Sequence, residues 1–189
     1  MQFDENGITL EKKLSELDKF TLDFLEILKK HTENYVLISS YVSILLGRPR
    51  GSENIDIIVE KMDKNQFDAF ADDLEKNGFT YLNAKGDDMY TYLQEKTAIR
   101  FARTDEVIPN MKLKFPKRQI DEATLRIRIP VKINGKGIFI SNLELQIAFK
   151  EEVLQSDKDI EDARHLREVA KDHLKQEKIE SYKGMLNVE

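Results

Sequence analysis

Asn54 and Asp56 are the residues whose types and spacing most directly suggest metal chemistry in this sequence. They stand two positions apart in the apolar segment Asn-Ile-Asp-Ile-Ile-Val. Side chains two residues apart on a β-strand point to the same face of the sheet, and Mg²⁺ prefers oxygen ligands. The spacing therefore predicts that Asp56 and Asn54 hold a Mg²⁺ ion. Asn54 would be the weaker ligand, because its amide is neutral.

Small and basic residues precede this pair at positions suited to phosphate binding. Ser39 and Ser40 follow the apolar run 35–38. Small residues at a turn let backbone N–H groups approach phosphate oxygens. Arg48 and Arg50 lie in the next loop, and an arginine can hold a phosphate through two parallel hydrogen bonds. The alternative for the two arginines is that they are solubilising charges of a surface loop.

Apolar runs and their periodicity predict the elements that position these residues. Helices are expected over 9–31, 41–46, 64–77 and 141–154, then from 156 onward, with a weaker helix at the end of the chain. Strands are expected over 35–38, 55–59, 79–82, 98–102, 125–133 and 137–140.

Local signals set several boundaries of these elements. Asp63 is a helix N-cap, Asn134-Gly135 is a hairpin turn, and Ser141 with Glu144 has the spacing of a capping box. The pattern predicts one α+β (mixed α/β) domain over 1–189, with a mixed sheet flanked by helices. An N-terminal helix would occupy 1–34, the sheet core 35–140 and a C-terminal helical tail 141–189.

Composition excludes several classes of function. The 189 residues include no cysteine, so disulfides, thiolate metal sites and cysteine nucleophiles are excluded. No apolar run approaches a membrane span, and the acidic N-terminus lacks the basic start of a signal peptide. We therefore expect a cytoplasmic protein with no membrane partner.

The charge is unevenly distributed along the chain. The formal net charge is −5, yet 96–136 carries eleven Lys and Arg against four Asp and Glu. This basic middle indicates a surface for an anion such as a nucleotide, a nucleic acid or phosphate. The alternative is a solvated sheet face on which Lys and Arg take alternate positions.

The segment YVLISSYVSILLGRPRGSENIDIIVE (35–60) resembles the nucleotidyltransferase superfamily, which has the polymerase-beta-like fold. In that family a strand leads into a Gly-Gly or Gly-Ser turn, and a later strand carries Asp-x-Asp. Ser39-Ser40 stands at the turn here, and Asn54 and Asp56 stand at the acidic pair. The resemblance implies that Asp56 is catalytic and holds Mg²⁺ with Asn54. It also implies that Ser39, Ser40, Arg48 and Arg50 bind the nucleotide.

A second segment, 141–168, is similar to the C-terminal part of the AbiEii-type branch, which includes toxins and antitoxin-like proteins. This similarity implies that Lys150 contacts a nucleotide phosphate and that Asp159 assists catalysis, with Asp162 matching a further family aspartate. Each of these three residues also has an alternative interpretation in which it has no functional role. Asp159 can be a first-turn acid beside a Ser156 cap, Asp162 can pair with Lys158 on the surface, and Lys150 can be solvated.

Taken together, the resemblances imply transfer of NMP from an NTP to a hydroxyl of a protein or an RNA, with Mg²⁺. The alternative is a catalytically degenerate member that binds a nucleotide, an RNA or a protein partner, and Asn54 favours it. A structural adaptor is a third possibility. The family's third carboxylate would sit on a neighbouring strand, yet the candidate at 98–103 offers only Arg100. The acceptor and the oligomeric state stay open.

Overall fold

A mixed β-sheet forms the centre of the computed structural model, which describes residues 1–84, 86 and 88–187. Within these residues the sheet has nine strands in the order β1-β2-β8-β9-β3-β4-β7-β6-β5. The strands are β1 (Gln2–Asp4), β2 (Gly7–Leu10), β3 (Tyr35–Ile38), β4 (Asn54–Val59), β5 (Phe79–Tyr81), β6 (Ile99–Arg103), β7 (Asn110–Lys114), β8 (Ile129–Ile133) and β9 (Lys136–Ile140).

Eight α-helices and one π-helical turn accompany this sheet in the described part of the chain. The helices are α1 (Glu16–Leu28), α2 (Ser40–Leu45), α3 (Lys64–Lys76), α4 (Asp88–Gln94), α5 (Gln119–Arg126), α6 (Leu143–Phe149), α7 (Asp157–Val169) and α8 (Gln176–Leu186). The π-turn, Lys150–Leu154, continues directly from α6. The predicted class, a mixed α/β fold with a mixed sheet flanked by helices, is confirmed. No described helix has the length and apolarity needed to span a membrane.

The strands β3 and β4 form the antiparallel pair that the candidate site requires. Ile38 is in register with Asp56. On its other side β4 pairs in parallel with β7, which places Lys112 beside Asp56 and Asn110 beside Asn54. The interior positions of β3 and β4 are almost fully buried, because both faces of these central strands are covered. The predicted adjacency of the strands 35–38 and 55–59 is therefore confirmed.

One face of the sheet is covered by α1 and α3 through aromatic contacts. Phe24 packs against the rings of Phe70, Phe79 and Phe101 at centroid distances of 5.5–5.9 Å. Asp63 caps α3 as predicted, since its side chain accepts the Gln66 N–H and completes a capping box. This arrangement leaves the opposite face of β3, β4 and β7 for α5, α6 and the candidate site.

The helix predicted over 9–31 is shorter than expected, and a hairpin precedes it. β1 and β2 occupy the first ten residues, and β2 pairs in parallel with β8. Gly7 has a φ of 131°, and a Cβ there would lie 2.0 Å from the Pro130 carbonyl oxygen, so only glycine allows this approach. Ser15 begins α1 through a capping box with Asp18. The helical spacing of the apolar residues before Ser15 therefore does not correspond to a helix in the structure.

Two other predictions are corrected by the structure, and two elements had no prediction. The expected strand 125–133 is divided, because α5 extends to Arg126 and β8 begins only at Ile129. The strand β7 and the helix α4 were not predicted. The N-cap of α6 is Asn142, whose side chain accepts the Leu145 N–H, whereas Ser141 donates to Gln146. The capping box at Ser141 and Glu144 is thus absent.

Candidate functional site

Ser39 occupies the turn between β3 and α2 in an unusual backbone conformation. Its φ is 65° and its ψ is −137°, a backbone conformation that residues other than glycine rarely adopt. The Ser39 N–H donates to the Gln146 side-chain oxygen at 3.2 Å, and the Gln146 amide lies 3.5 Å from the Ser39 carbonyl. Gln146 of α6 therefore holds the strained turn in place.

An open cleft, here called the outer cleft, lies beside this turn and has a volume of about 740 Å³. Its lining brings together most of the residues singled out in the sequence: Ser39, Ser40, Arg50, Asn54, Asp56 and Asp159. Ser52 and Lys158 also line it. The Ser40 and Ser52 hydroxyls are 3.1 Å apart, and Ser52 donates to the Asn54 carbonyl at 2.7 Å. Asp56 and Asp159 thus share one cleft although they are 103 positions apart in sequence.

Lys150 and Arg48 do not line this cleft, because both are engaged in an ionic cluster around Asp162. Lys150 is completely buried, and its ammonium donates to Asp159 at 2.9 Å and to Asp162 at 2.8 Å. Arg48 and Arg50 both donate to the buried Asp162 carboxylate, Arg50 at 2.9 Å. A buried carboxylate needs such partners. The alternatives of a solvated Lys150 and a surface Lys158–Asp162 pair are therefore wrong.

The pKa values in this cluster follow from its burial and its hydrogen bonds. Burial lowers the pKa of Lys150 below its usual value, although the hydrogen bond to Asp159 opposes this. Burial alone would raise the pKa of Asp159, but hydrogen bonds from Ser156 and Lys150 outweigh it and lower the pKa. Asp159 also stands in the first turn of α7, where the Ser156 hydroxyl accepts its N–H as the capping alternative predicted. Asp159 is thus an anion already neutralised by Lys150.

Asp56 lies next to a lysine that the sequence did not reveal as a site residue. The Lys112 ammonium is 3.7 Å from the Asp56 carboxylate, whose side chain is 22% exposed. Burial raises the pKa of Asp56, and the positive charges of Lys112, Lys114 and Lys150 oppose that rise without cancelling it. Lys112 was missed because β7 was not predicted. The sequence signals were the alternation Met-Lys-Leu-Lys at 111–114 and its place in the basic stretch 96–136.

The residues around Asp56 do not fit a Mg²⁺ ion. Among the described residues, no three histidine, aspartate or glutamate side chains converge as a metal cluster would require. The strand beside β4 is β7, whereas β6, the strand expected to carry a third carboxylate, lies one position further out. β7 presents Lys112 in register with Asp56. The neighbour of Asp56 on this side is thus an ammonium group, which cannot be a ligand of a hard cation.

A second concavity, here called the lysine cavity, adjoins the outer cleft and has a volume of about 570 Å³. Ser39 and Asp56 line both spaces. The charged residues of the lysine cavity are Lys96, Lys112, Lys114, Lys117, Asp56 and Asp121. Four of the basic residues of 96–136 therefore face one concave site, as an anion surface requires.

Comparison with known proteins adds the class of fold. No protein-family model matches the sequence, and no curated protein matches it significantly. A nucleotidyltransferase-like protein from Paracoccidioides brasiliensis, described as antigenic, has a TM-score of 0.53 at 17% identity, over 92% of this chain and 88% of its own. The antibiotic-resistance factor ANT(2'')-Ia has a TM-score of 0.57 at 14% identity, over 92% of this chain and 94% of its own. The lincosamide antibiotic adenylyltransferase LnuA, with lincomycin bound, has a TM-score of 0.55 at 14% identity, over 84% of this chain and 99% of its own. This chain therefore has a nucleotidyltransferase-like fold.

Ser39→Gly tests the strain at the turn. Relief of a positive φ outweighs the extra entropy that glycine gains in the unfolded chain, so we expect the free energy of unfolding to rise by about 1 kcal/mol. Urea denaturation measures this change. The matched control is Ser181→Gly in the exposed part of α8, which should lower stability by about 0.5 kcal/mol. A loss of stability in Ser39→Gly would contradict the strain.

Asp162→Asn tests the ionic cluster. The substitution leaves Arg48, Arg50 and the buried Lys150 with one carboxylate fewer, so we expect the free energy of unfolding to fall by about 3 kcal/mol. Glu161→Gln, at the neighbouring exposed position, is the control and should change stability by less than about 0.5 kcal/mol. Equal effects of the two substitutions in chemical denaturation would show that the cluster is unimportant for folding.

The combination of Asn54→Asp with Lys112→Asp tests whether these two side chains prevent Mg²⁺ from binding beside Asp56. It adds two carboxylates beside Asp56 and removes one ammonium, so we expect calorimetry to detect Mg²⁺ binding that the original protein lacks. Asn54→Asp combined with Lys132→Asp on the exposed side of β8 has the same net charge and serves as the control. The interpretation fails if the control or the original protein binds Mg²⁺ as tightly as the first double variant.

Proposed function

We propose that this chain binds a nucleoside triphosphate in the outer cleft without holding a catalytic metal ion. It would then be a catalytically degenerate nucleotidyltransferase-like protein, close to the AbiEii-type branch with its toxins and antitoxin-like proteins. The observation that carries this proposal is the Lys112 ammonium 3.7 Å from the Asp56 carboxylate. This ammonium lines the lysine cavity and not the outer cleft, so it neutralises Asp56 from that side and offers no ligand to Mg²⁺.

Two cations of the outer cleft can contact a triphosphate, in a lining that also includes the carboxylates of Glu53, Asp56 and Asp159. Arg50 and Lys158 line it and are cationic, and the Ser39, Ser40 and Ser52 hydroxyls lie along its wall. Arg50 keeps one side of its guanidinium on Asp162, which fixes the direction of the remaining N–H groups. Arg48 and Lys150 would act indirectly, because their contacts with Asp162 hold Arg50 and Asp159 in position.

A second candidate is transfer of NMP from an NTP to a hydroxyl of an RNA or a protein. The observation that favours it is that Asp56 and Asp159 line one cleft, as the roles implied for them would require. The adenylyltransferase among the structural neighbours is consistent with it. This candidate needs Asp159 to exchange its contact with Lys150 for a contact with the acceptor. It predicts activity that depends on Asp56 and on added Mg²⁺.

Nucleotide binding is tested by calorimetry with ATP, GTP, CTP and UTP in EDTA. We expect at least one of them to bind without a metal, and Lys158→Gln to weaken its affinity about tenfold through loss of one charged contact. The matched control is Lys171→Gln, just past the end of the same helix. Absence of all binding in EDTA, or equal effects of the two substitutions, would contradict the proposal.

Transfer is tested with each labelled NTP, Mg²⁺ or Mn²⁺, and RNA and protein acceptors. We expect label incorporation no greater than in Asp56→Ala, because the donor set around Asp56 does not fit a metal ion. Incorporation that is well above this control and needs the divalent ion would establish the second candidate instead.

A further inference from the structure

We propose that the lysine cavity binds a second ligand, a small organic phosphate with an apolar body, in addition to the nucleotide of the outer cleft. This inference does not rest on the proposed nucleotide binding, because the two spaces are lined by different cations. Lys96, Lys114 and Lys117 face the lysine cavity, whereas Arg50 and Lys158 face the outer cleft.

The size of the cavity fits a small molecule. Its volume of about 570 Å³ lies within the range of ligand pockets in proteins, roughly 300–1,000 Å³. The sheet contributes Ile58, and α6 contributes Leu145 and Phe149 to its lining. These side chains give the ligand an apolar surface to cover, which a bare inorganic anion would leave exposed to water. The shape and the chemistry of the wall therefore favour an organic ligand.

The charges of the cavity are not balanced by its own carboxylates. Asp121 accepts the Lys114 ammonium at 3.1 Å and the N–H groups of Lys117 and Arg118 at 2.8 and 3.2 Å, so its oxygens are engaged. Asp56 lies 3.7 Å from Lys112. Four ammonium groups thus face two carboxylates, and both carboxylates already have partners.

Lys96 and Lys117 are the cations left for a ligand. In the described ranges, neither ammonium lies within salt-bridge distance of a carboxylate, and Lys96 reaches only the Lys117 carbonyl oxygen, at 3.4 Å. Partial burial, followed by repulsion from Lys114, lowers the pKa of Lys117, and Lys112 and Lys96 add to that repulsion. A phosphate between these lysines would relieve the repulsion. A dianion would also match the surplus of two positive charges.

The probe is 1-naphthyl phosphate, measured by calorimetry, with 1-naphthol and inorganic phosphate as partial ligands. We expect naphthyl phosphate to bind at least tenfold more tightly than either, because only it uses both the lysines and the apolar wall. Lys96→Gln combined with Lys117→Gln should weaken binding at least tenfold. Both lysines are exposed, so this variant should fold, and circular dichroism verifies it.

The matched control is Lys171→Gln combined with Lys178→Gln, which removes two exposed lysines from the C-terminal helical region. It should leave the affinity for naphthyl phosphate unchanged, and a saturating nucleotide in EDTA should not displace the probe. Equal binding of naphthol and naphthyl phosphate, or equal losses in the two double variants, would overturn the inference. Competitive displacement by the nucleotide would also overturn it, since the cavity would then be part of the nucleotide site. Failure of nucleotides to bind, with naphthyl phosphate still bound, would contradict only the proposed function.

Discussion

One buried carboxylate, that of Asp162, holds together the segments that form the outer cleft. Arg48 and Arg50 reach it from the loop after α2, and Lys150 reaches it from the π-turn. A buried charge is tolerated only when it is paired and hydrogen-bonded, so these contacts are nearly obligatory once α7 packs against α2 and α6. The position of Arg50, and of Asp159 through Lys150, follows from this constraint.

The need of buried carboxylates for charged partners also decides which cations are already paired and which remain for a ligand. Around Asp162, Arg48 and Lys150 are held in internal pairs and do not line the outer cleft, whereas Arg50 pairs with Asp162 and still lines that cleft. On the other side of Asp56, Lys96 and Lys117 face a concave wall without a carboxylate partner among the described residues. The number of basic residues alone therefore does not locate an anion site, because internal ion pairs decide which charges remain for a ligand.

Lys112 shows how a single register position changes the chemistry of a site. β7 pairs with β4 so that Lys112 stands next to Asp56. At this position an acidic side chain would complete a set of hard oxygen ligands, whereas an ammonium group neutralises the carboxylate instead. The fold and the chemistry of the site are thus separable in this chain.

The sequence by itself determined the elements whose signals are local: the buried strands β3 and β4, the Asp63 cap of α3 and the hairpin turn at Asn134. The two resemblances also implied that Ser39, Asp56 and Asp159 act in one nucleotide site, and all three line the outer cleft. Only the tertiary structure decided the N-terminal hairpin, the strand β7 and the partners of Lys150. Strand pairing and buried ion pairs join residues that are distant along the chain, as with Arg48 and Asp162, and no local spacing encodes which charge will meet which.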